Sequence, residues 1–245
     1  MTIRRHGAGP GRVLAVMVGA LFWGIAPSAN AGALRILPVR IEMAAEKQFC
    51  SLTIANDDKA PATVQVRGFG WRKDANGVDL LDPDGGPVVN PSILSIPGGS
   101  SRLVRCSLPA RSGSREESYR LIIDELPMAT VAPGTVRTLL RISMPIFRAP
   151  SGAAPLLRWS VGKGADGRRT LILFNQGDRH VQVTAIDMTP AGAGGKVTRL
   201  DRGFYLLAGG RIDLPLESPD GDAISGVQVE TATGPLAAST AVAER

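Results

Sequence analysis

Residues 135–147 read Thr135-Val136-Arg137-Thr138-Leu139-Leu140-Arg141-Ile142-Ser143-Met144-Pro145-Ile146-Phe147, a run that is apolar at both odd and even positions. A strand with one wet face alternates, because successive side chains point to opposite faces of the sheet. This run therefore either lies deep in a sandwich or keeps the row Val136, Leu140 and Ile142 for a partner whose open sheet edge it completes. Six further strand-like runs precede it, at 34–42, 48–56, 62–71, 88–96, 101–108 and 117–126. Turn chemistry separates them at Asn56-Asp57-Asp58, Asp74-Ala75-Asn76-Gly77, Pro97-Gly98-Gly99 and Ala132-Pro133-Gly134. Seven strands over about 115 residues is the count of an immunoglobulin-like sandwich.

Beyond the run, Ala149-Pro150-Ser151-Gly152-Ala153-Ala154-Pro155 has small residues, prolines and no periodic apolar face, which suits a linker. A second set of strands follows at 156–161, 169–175, 180–188, 203–207, 211–215, 223–230 and 236–242. Its runs are shorter and less apolar, so the weaker core is expected here. No amphipathic helix of useful length is present, and 29 Gly with 18 Pro favour many turns. The expected fold is all-β, with immunoglobulin-like sandwiches at 32–150 and 151–245.

The first 31 residues have an order of their own: basic residues to Arg12, an apolar stretch 13–25, then small residues ending Ala29-Asn30-Ala31. That is the layout of a secretory signal peptide, with cleavage expected after Ala31. Thirteen apolar residues are short for a membrane span, which needs roughly 20; an uncleaved anchor is the alternative, and no later segment does better. The leader holds Arg4, Arg5 and Arg12 and no acids, so its removal lowers the net charge from +6 to +3. Export also makes a disulfide chemically possible. Cys50 shares parity with Leu52 and Ile54, and Cys106 with Val104 and Leu108, so both face the core. They form a bridge between neighbouring strands or stay as two buried thiols; Cys-x-x-Cys spacing is absent.

Catalytic chemistry needs converging reactive groups. After the leader there is one histidine, His180, beside Arg179 at the start of a strand, where a surface position is expected. There is no Gly-x-Ser-x-Gly elbow, no His-Glu-x-x-His and no phosphate-binding loop, so neither an enzyme nor a cofactor is expected. The acidic turns Asp82-Pro83-Asp84-Gly85 and Pro219-Asp220-Gly221-Asp222 lack the spacing of a calcium loop, and no metal site is expected. The charged cluster 111–117 reads as a solvated loop. Six Phe, three Trp and two Tyr, with scattered basic residues, leave little for binding nucleic acid.

Several pieces together resemble the pilus periplasmic chaperones of the chaperone-usher pathway, a family of two immunoglobulin-like domains set at an angle. They are Leu37-Pro38-Val39-Arg40-Ile41; Asn90-Pro91-Ser92-Ile93-Leu94-Ser95-Ile96-Pro97-Gly98 with Arg105 after it; and Glu117-Ser118-Tyr119-Arg120-Leu121 running to Asp124-Glu125-Leu126-Pro127. The closing Arg141-Ile142-Ser143-Met144-Pro145-Ile146-Phe147, then 171–175 and Phe204-Tyr205-Leu206-Leu207-Ala208-Gly209-Gly210, complete the set. Within the family the chain is most similar to the branch serving archaic, spore-coat-U-type pili, and the short connection from Pro127 to Thr135 argues against the branch with a long loop before its donor strand.

The resemblance implies a protein that binds pilin subunits, which lack their last strand, and delivers them to an outer-membrane usher. It implies that 135–147 is the lent strand, with Val136, Leu140 and Ile142 filling the subunit groove and the opening strand 34–41 assisting. It also implies two basic residues that hold the subunit's terminal carboxylate. Arg40 matches the first; where the family more often has a Lys late in the strand this chain has Ser143-Met144-Pro145, which leaves Arg141 as the nearest candidate. Stable membrane insertion is not implied, and the free protein has an exposed strand through which copies could cap one another. A secreted structural or adhesive β-sandwich is the competing reading.

Overall fold

Prolines divide two of the expected strands. In the computed structural model, which describes residues 34–111, 113–127, 138–164, 167–192, 195–216 and 223–241, the run 34–42 becomes β1 (Leu34–Leu37) and β2 (Ile41–Ala44). Pro38, in a cis peptide with Leu37, stands at the break, and the two pieces lie in different sheets. A proline cannot donate to a ladder, so a strand crossing between layers readily breaks there. Pro91 stands at the same kind of break between β6 (Val88–Asn90) and β7 (Ile93–Ile96), which also part into different sheets. Both are corrections to the single strands expected.

The remaining strands before the linker are β3 (Phe49–Asn56), β4 (Ala62–Lys73), β5 (Asp79–Asp82), β8 (Ser101–Ser107), β9 (Glu117–Leu126) and β10 (Arg141–Ala149). One layer runs β1-β3-β8-β6; the other runs β2-β10-β9-β4-β5, with β7 also on β4. The alternating inward residues Leu52 and Ile54, Val64 and Val66, Leu121 and Ile123, and Met144 and Ile146 meet between the layers and are essentially inaccessible. Cys50 and Cys106 lie opposite each other on β3 and β8 and are bonded, with Cα atoms 4.9 Å apart.

After the linker come β11 (Leu157–Lys163), β12 (Arg169–Asn175), β13 (Val181–Pro190), β14 (Thr198–Leu206), β15 (Arg211–Pro215), β16 (Ile224–Thr231) and β17 (Gly234–Thr240). Their order is β14-β13-β16-β17-β11-β12-β15. The join between β17 and β11 is parallel, through Ser239 and Thr240, and turns the array into a second sandwich. Its core, built on Trp159, Leu171, Leu173, Ile186, Leu214 and Val229, is comparable to the first, not weaker as expected. No helix occurs among the described residues, and hence none long and apolar enough to cross a membrane.

The two sandwiches repeat one device. Asn56 and Asn175, both buried at a strand end, each accept the N–H two residues on and donate to the carbonyl four residues on (Ala60 at 2.7 Å, Arg179 at 2.7 Å). Each also donates to the last residue of another strand, Ile96 or Leu206, and gives its own N–H to the carbonyl four residues after that one, Ser100 or Gly210.

Residues 32–245 form one compact unit, with aromatic rings joining the sandwiches. Trp71, Phe147, Leu207 and Tyr205 share a small core, and Phe147 stacks on His180 at 3.5 Å. His180 is thus buried, which corrects its expected surface position: its N–H and ring Nδ1 both reach Glu116 Oε1, at 2.9 and 2.8 Å. Glu116 is buried too, so the loop is exposed as expected at Arg111 and at 113–115 but joins the junction at its end. Arg120 lies 3.6 Å above the Trp71 ring, and burial lowers its pKa from the usual guanidinium value.

Candidate functional site

The site grows out of the pairing of β10. One edge of this strand is fully paired to β9, from Arg141 opposite Asp124 to Arg148 opposite Glu117. On the other edge β2 joins only at the end, parallel, with Ile146 opposite Ile41 and Ala149 opposite Ala44. Among the described residues, no strand lies beside Arg141–Pro145 on that side.

Hydrogen-bond alternation says what this bare stretch offers. The Glu125 N–H donates to the Leu140 carbonyl at 2.8 Å, so even positions of β10 direct their peptide groups at β9. Arg141, Ser143 and Pro145 therefore direct theirs at the open side. Pro145 has no N–H to give, and an unpaired edge is where a proline in a sheet is tolerated. An incoming strand would find the N–H and carbonyl groups of Arg141 and Ser143 there, while the Pro145 carbonyl faces the Ile41 N–H where β2 joins.

The side chains complete the picture. Ile146 and Met144 are buried in the first sandwich, Ile142 is half-buried against the same core, and Leu140 is half-buried beyond it. One apolar row thus runs out of the core along the bare edge. Val136 and the turn at Ala132-Pro133-Gly134 lie outside the described residues, as do 1–31 and the acidic turn 219–222. The other acidic turn closes on itself, with the Asp84 N–H donating to Asp82 Oδ1 at 3.1 Å.

The lane beside β10 has a definite end. A strand added next to Arg141–Pro145 would lie where β2 lies further on, so its tip would meet Arg40, the residue before Ile41. Arg40 is exposed, with Nε 3.0 Å from Glu42 Oε1 and NH1 donating to Gln182 Oε1 at 3.1 Å. The opposite oxygen of Glu42 accepts from Arg179 NH2 at 2.5 Å. Arg40, Glu42 and Arg179 therefore link the first sandwich to the loop before β13.

Arg141 is not part of this group. It sits four residues up the lane, about 13 Å by strand rise, where it pairs with Asp124 on the outer face of the sheet. Asp124 also accepts from Arg67 at 2.7 Å; burial raises its pKa, but the two arginines outweigh that and hold it below the usual aspartate value. Sequence reasoning missed Arg179, whose only sequence signal is its place beside the histidine. It also missed Glu117, which accepts from the buried Arg148 Nε at 2.8 Å; Arg148 further donates to the Pro109 carbonyl and Tyr119 hydroxyl. Removing one partner of such a buried pair would strand the other charge.

Residues 33–154 match the family described as pili and flagellar-assembly chaperones, PapD N-terminal domain. The chain belongs to the pilus-assembly chaperones. The members to which it is similar are chaperones and not enzymes. Among solved structures it is similar to the chaperone–tip adhesion subunit pre-assembly complex from archaic chaperone-usher Csu pili of Acinetobacter baumannii, at 21% identity and TM-score 0.68, covering 86% of this chain and 100% of that one. It is also similar to the E. coli chaperone DraB, at 17% identity and TM-score 0.57 over 86% of this chain and 97% of that one. The Pseudomonas aeruginosa CupB2 chaperone matches at 16% identity and TM-score 0.55, over 84% of this chain and 100% of that one. At these identities the structures establish the shared two-sandwich fold. No curated relative matches at the level of sequence.

Proposed function

We propose that this chain is a periplasmic chaperone that caps pilin subunits by lending them the edge of β10 and passes them to an outer-membrane usher. The observation that carries the reading is the bare edge at Arg141–Pro145, flanked by an apolar row and ending at Arg40. A subunit short of one strand has a groove needing both peptide partners and alternate side chains. Val136, Leu140 and Ile142 are the proposed groove fillers, each buried aliphatic being worth roughly 1.5–3 kcal/mol of transfer free energy. Arg40 is proposed to receive the subunit's terminal carboxylate. Residues 1–31 are proposed to be a signal peptide cut after Ala31, leaving domains at 32–150 and 151–245. The archaic, spore-coat-U-type pili are the proposed client system. In the free protein a second copy can occupy the same edge, which gives self-capping a physical basis.

Delivery requires a second surface that loading leaves free. The outer face of the β1-β3-β8-β6 layer, in the sheet that does not contain β10, exposes Leu37, Phe49, Val88 and Leu103 around Arg105 and is proposed for the usher. Co-expression with a pilin encoded nearby, and purification on a tag carried by this protein, tests both parts. Leu140→Asp and Arg40→Ala should abolish pilin recovery from a folded chaperone. Phe49→Asp should leave recovery intact and abolish piliation. Normal recovery with both of the first two variants would overturn the strand assignment.

A further inference from the structure

The bridge between Arg40 and Arg179 is made by a carboxylate belonging to the protein itself. Glu42 commits one oxygen to each guanidinium, at 3.0 and 2.5 Å, and all three side chains are about two-fifths exposed (41, 37 and 42%). The group carries a net charge of +1 and retains unused guanidinium N–H donors, so it attracts an anion and can bind it directly. Its position is fixed from both sides. Glu42 is on β2, held to β10, while Arg179 precedes His180, whose backbone and ring are tied to the buried Glu116. Arg40 also reaches Gln182 on β13.

We propose that Glu42 is an internal stand-in for the subunit's terminal carboxylate, and that Arg179 of the second sandwich, not a residue of β10, completes the anchor with Arg40. This rests on the chaperone reading above and deepens it. A strand filling the lane beside Arg141–Pro145 brings its terminal carboxylate to Arg40, displaces Glu42 and takes over both guanidiniums. Because these belong to different sandwiches, the loaded subunit replaces an internal tie between them with one of its own. Glu42 thereby sets a threshold: an incoming end must be a carboxylate, correctly placed, to compete.

The test uses the mature protein and a synthetic peptide copying the last twelve or so residues of a neighbouring pilin, made once with a free carboxylate and once as the amide. Fluorescence anisotropy reads the affinity of each. Wild type is expected to prefer the acid by about tenfold, the scale of one charge-assisted contact. Arg179→Gln should remove most of that preference without changing amide binding, and Arg179→Lys should restore part of it. Glu42→Gln should tighten acid binding several-fold and leave the amide unchanged. Melting curves identify any variant that has merely lost its fold. If Arg179→Gln and Glu42→Gln keep the wild-type preference while Arg40→Ala loses it, the anchor is real and this assignment is wrong. If wild type binds acid and amide equally, the anchoring reading fails together with the assignment.

Discussion

Asp124 holds its charge on the outer face of the sheet because Arg67 and Arg141 donate to it from the strands on either side. Its pKa is lowered on folding, so the stability it contributes is present above the unfolded value of about 3.9 and is lost as pH falls through the folded value. Asp124→Asn is therefore expected to destabilise the protein at pH 7 and to flatten the acid limb of a stability curve below about pH 4, read by urea unfolding across pH. An acid limb of unchanged slope would show that the pairing is not felt in the folded state. Other single residues were readable in advance. Cys50 and Cys106 share parity with core residues, and their pairing follows from two neighbouring strands. The buried Asn56 and Asn175 were not singled out, although each stands at the end of an apolar run and each is answered downstream by a Gly-Gly turn, Gly98-Gly99 or Gly209-Gly210. Such repetition is visible only when the two halves are laid on each other.

At the scale of elements, alternation located strands well because it is a local signal. It missed β5, whose four residues are all exposed and carry no inward row. It also overran at Pro38 and Pro91, since a strand passing between layers keeps its apolar character through the break. The β4–β5 hairpin has a role that no local pattern announces. Its tip reaches the second sandwich: the Asp213 N–H donates to the Ala75 carbonyl at 2.7 Å, and Gly77 packs beneath Ile212 with φ of +82°. A Cβ at Gly77 would lie 3.0 Å from Ile212 Cδ1, in a backbone region that disfavours β-branched residues. Gly77→Val is expected to cost about 1–3 kcal/mol and to loosen the hairpin from β15. Faster amide exchange at Asp213 would report this, and unchanged exchange there would exclude the contact.

For the whole molecule, the joint between the sandwiches is built from residues far apart in sequence, which is why the sequence reading placed His180 on the surface and Glu116 in solvent. Glu116 and His180 are 64 positions apart, and neither lies on a recognisable motif. Phe147 is the keystone of this joint, stacked on His180 and within 6 Å of Trp71 and Tyr205 by ring centroids. Phe147→Ala should cost about 3–5 kcal/mol and split calorimetric unfolding into two transitions as the sandwiches uncouple; a single transition would mean that the linker and hairpin suffice to hold them together. The bare edge, by contrast, was half legible. A run apolar on both parities was recognised as a strand with a second face to fill, yet its open length is set by where β2 joins, and that is a tertiary fact.

The central claim is that β10 presents unpaired peptide groups to a pilin. Residue-resolved amide exchange on the free protein and on its co-purified complex with a pilin tests it most directly. The account predicts that the N–H groups of Arg141 and Ser143 exchange fast in the free protein and become protected in the complex, while those of Ile142 and Met144, bonded to β9, are protected in both. Equal exchange of Arg141 and Ser143 in the two states would contradict it.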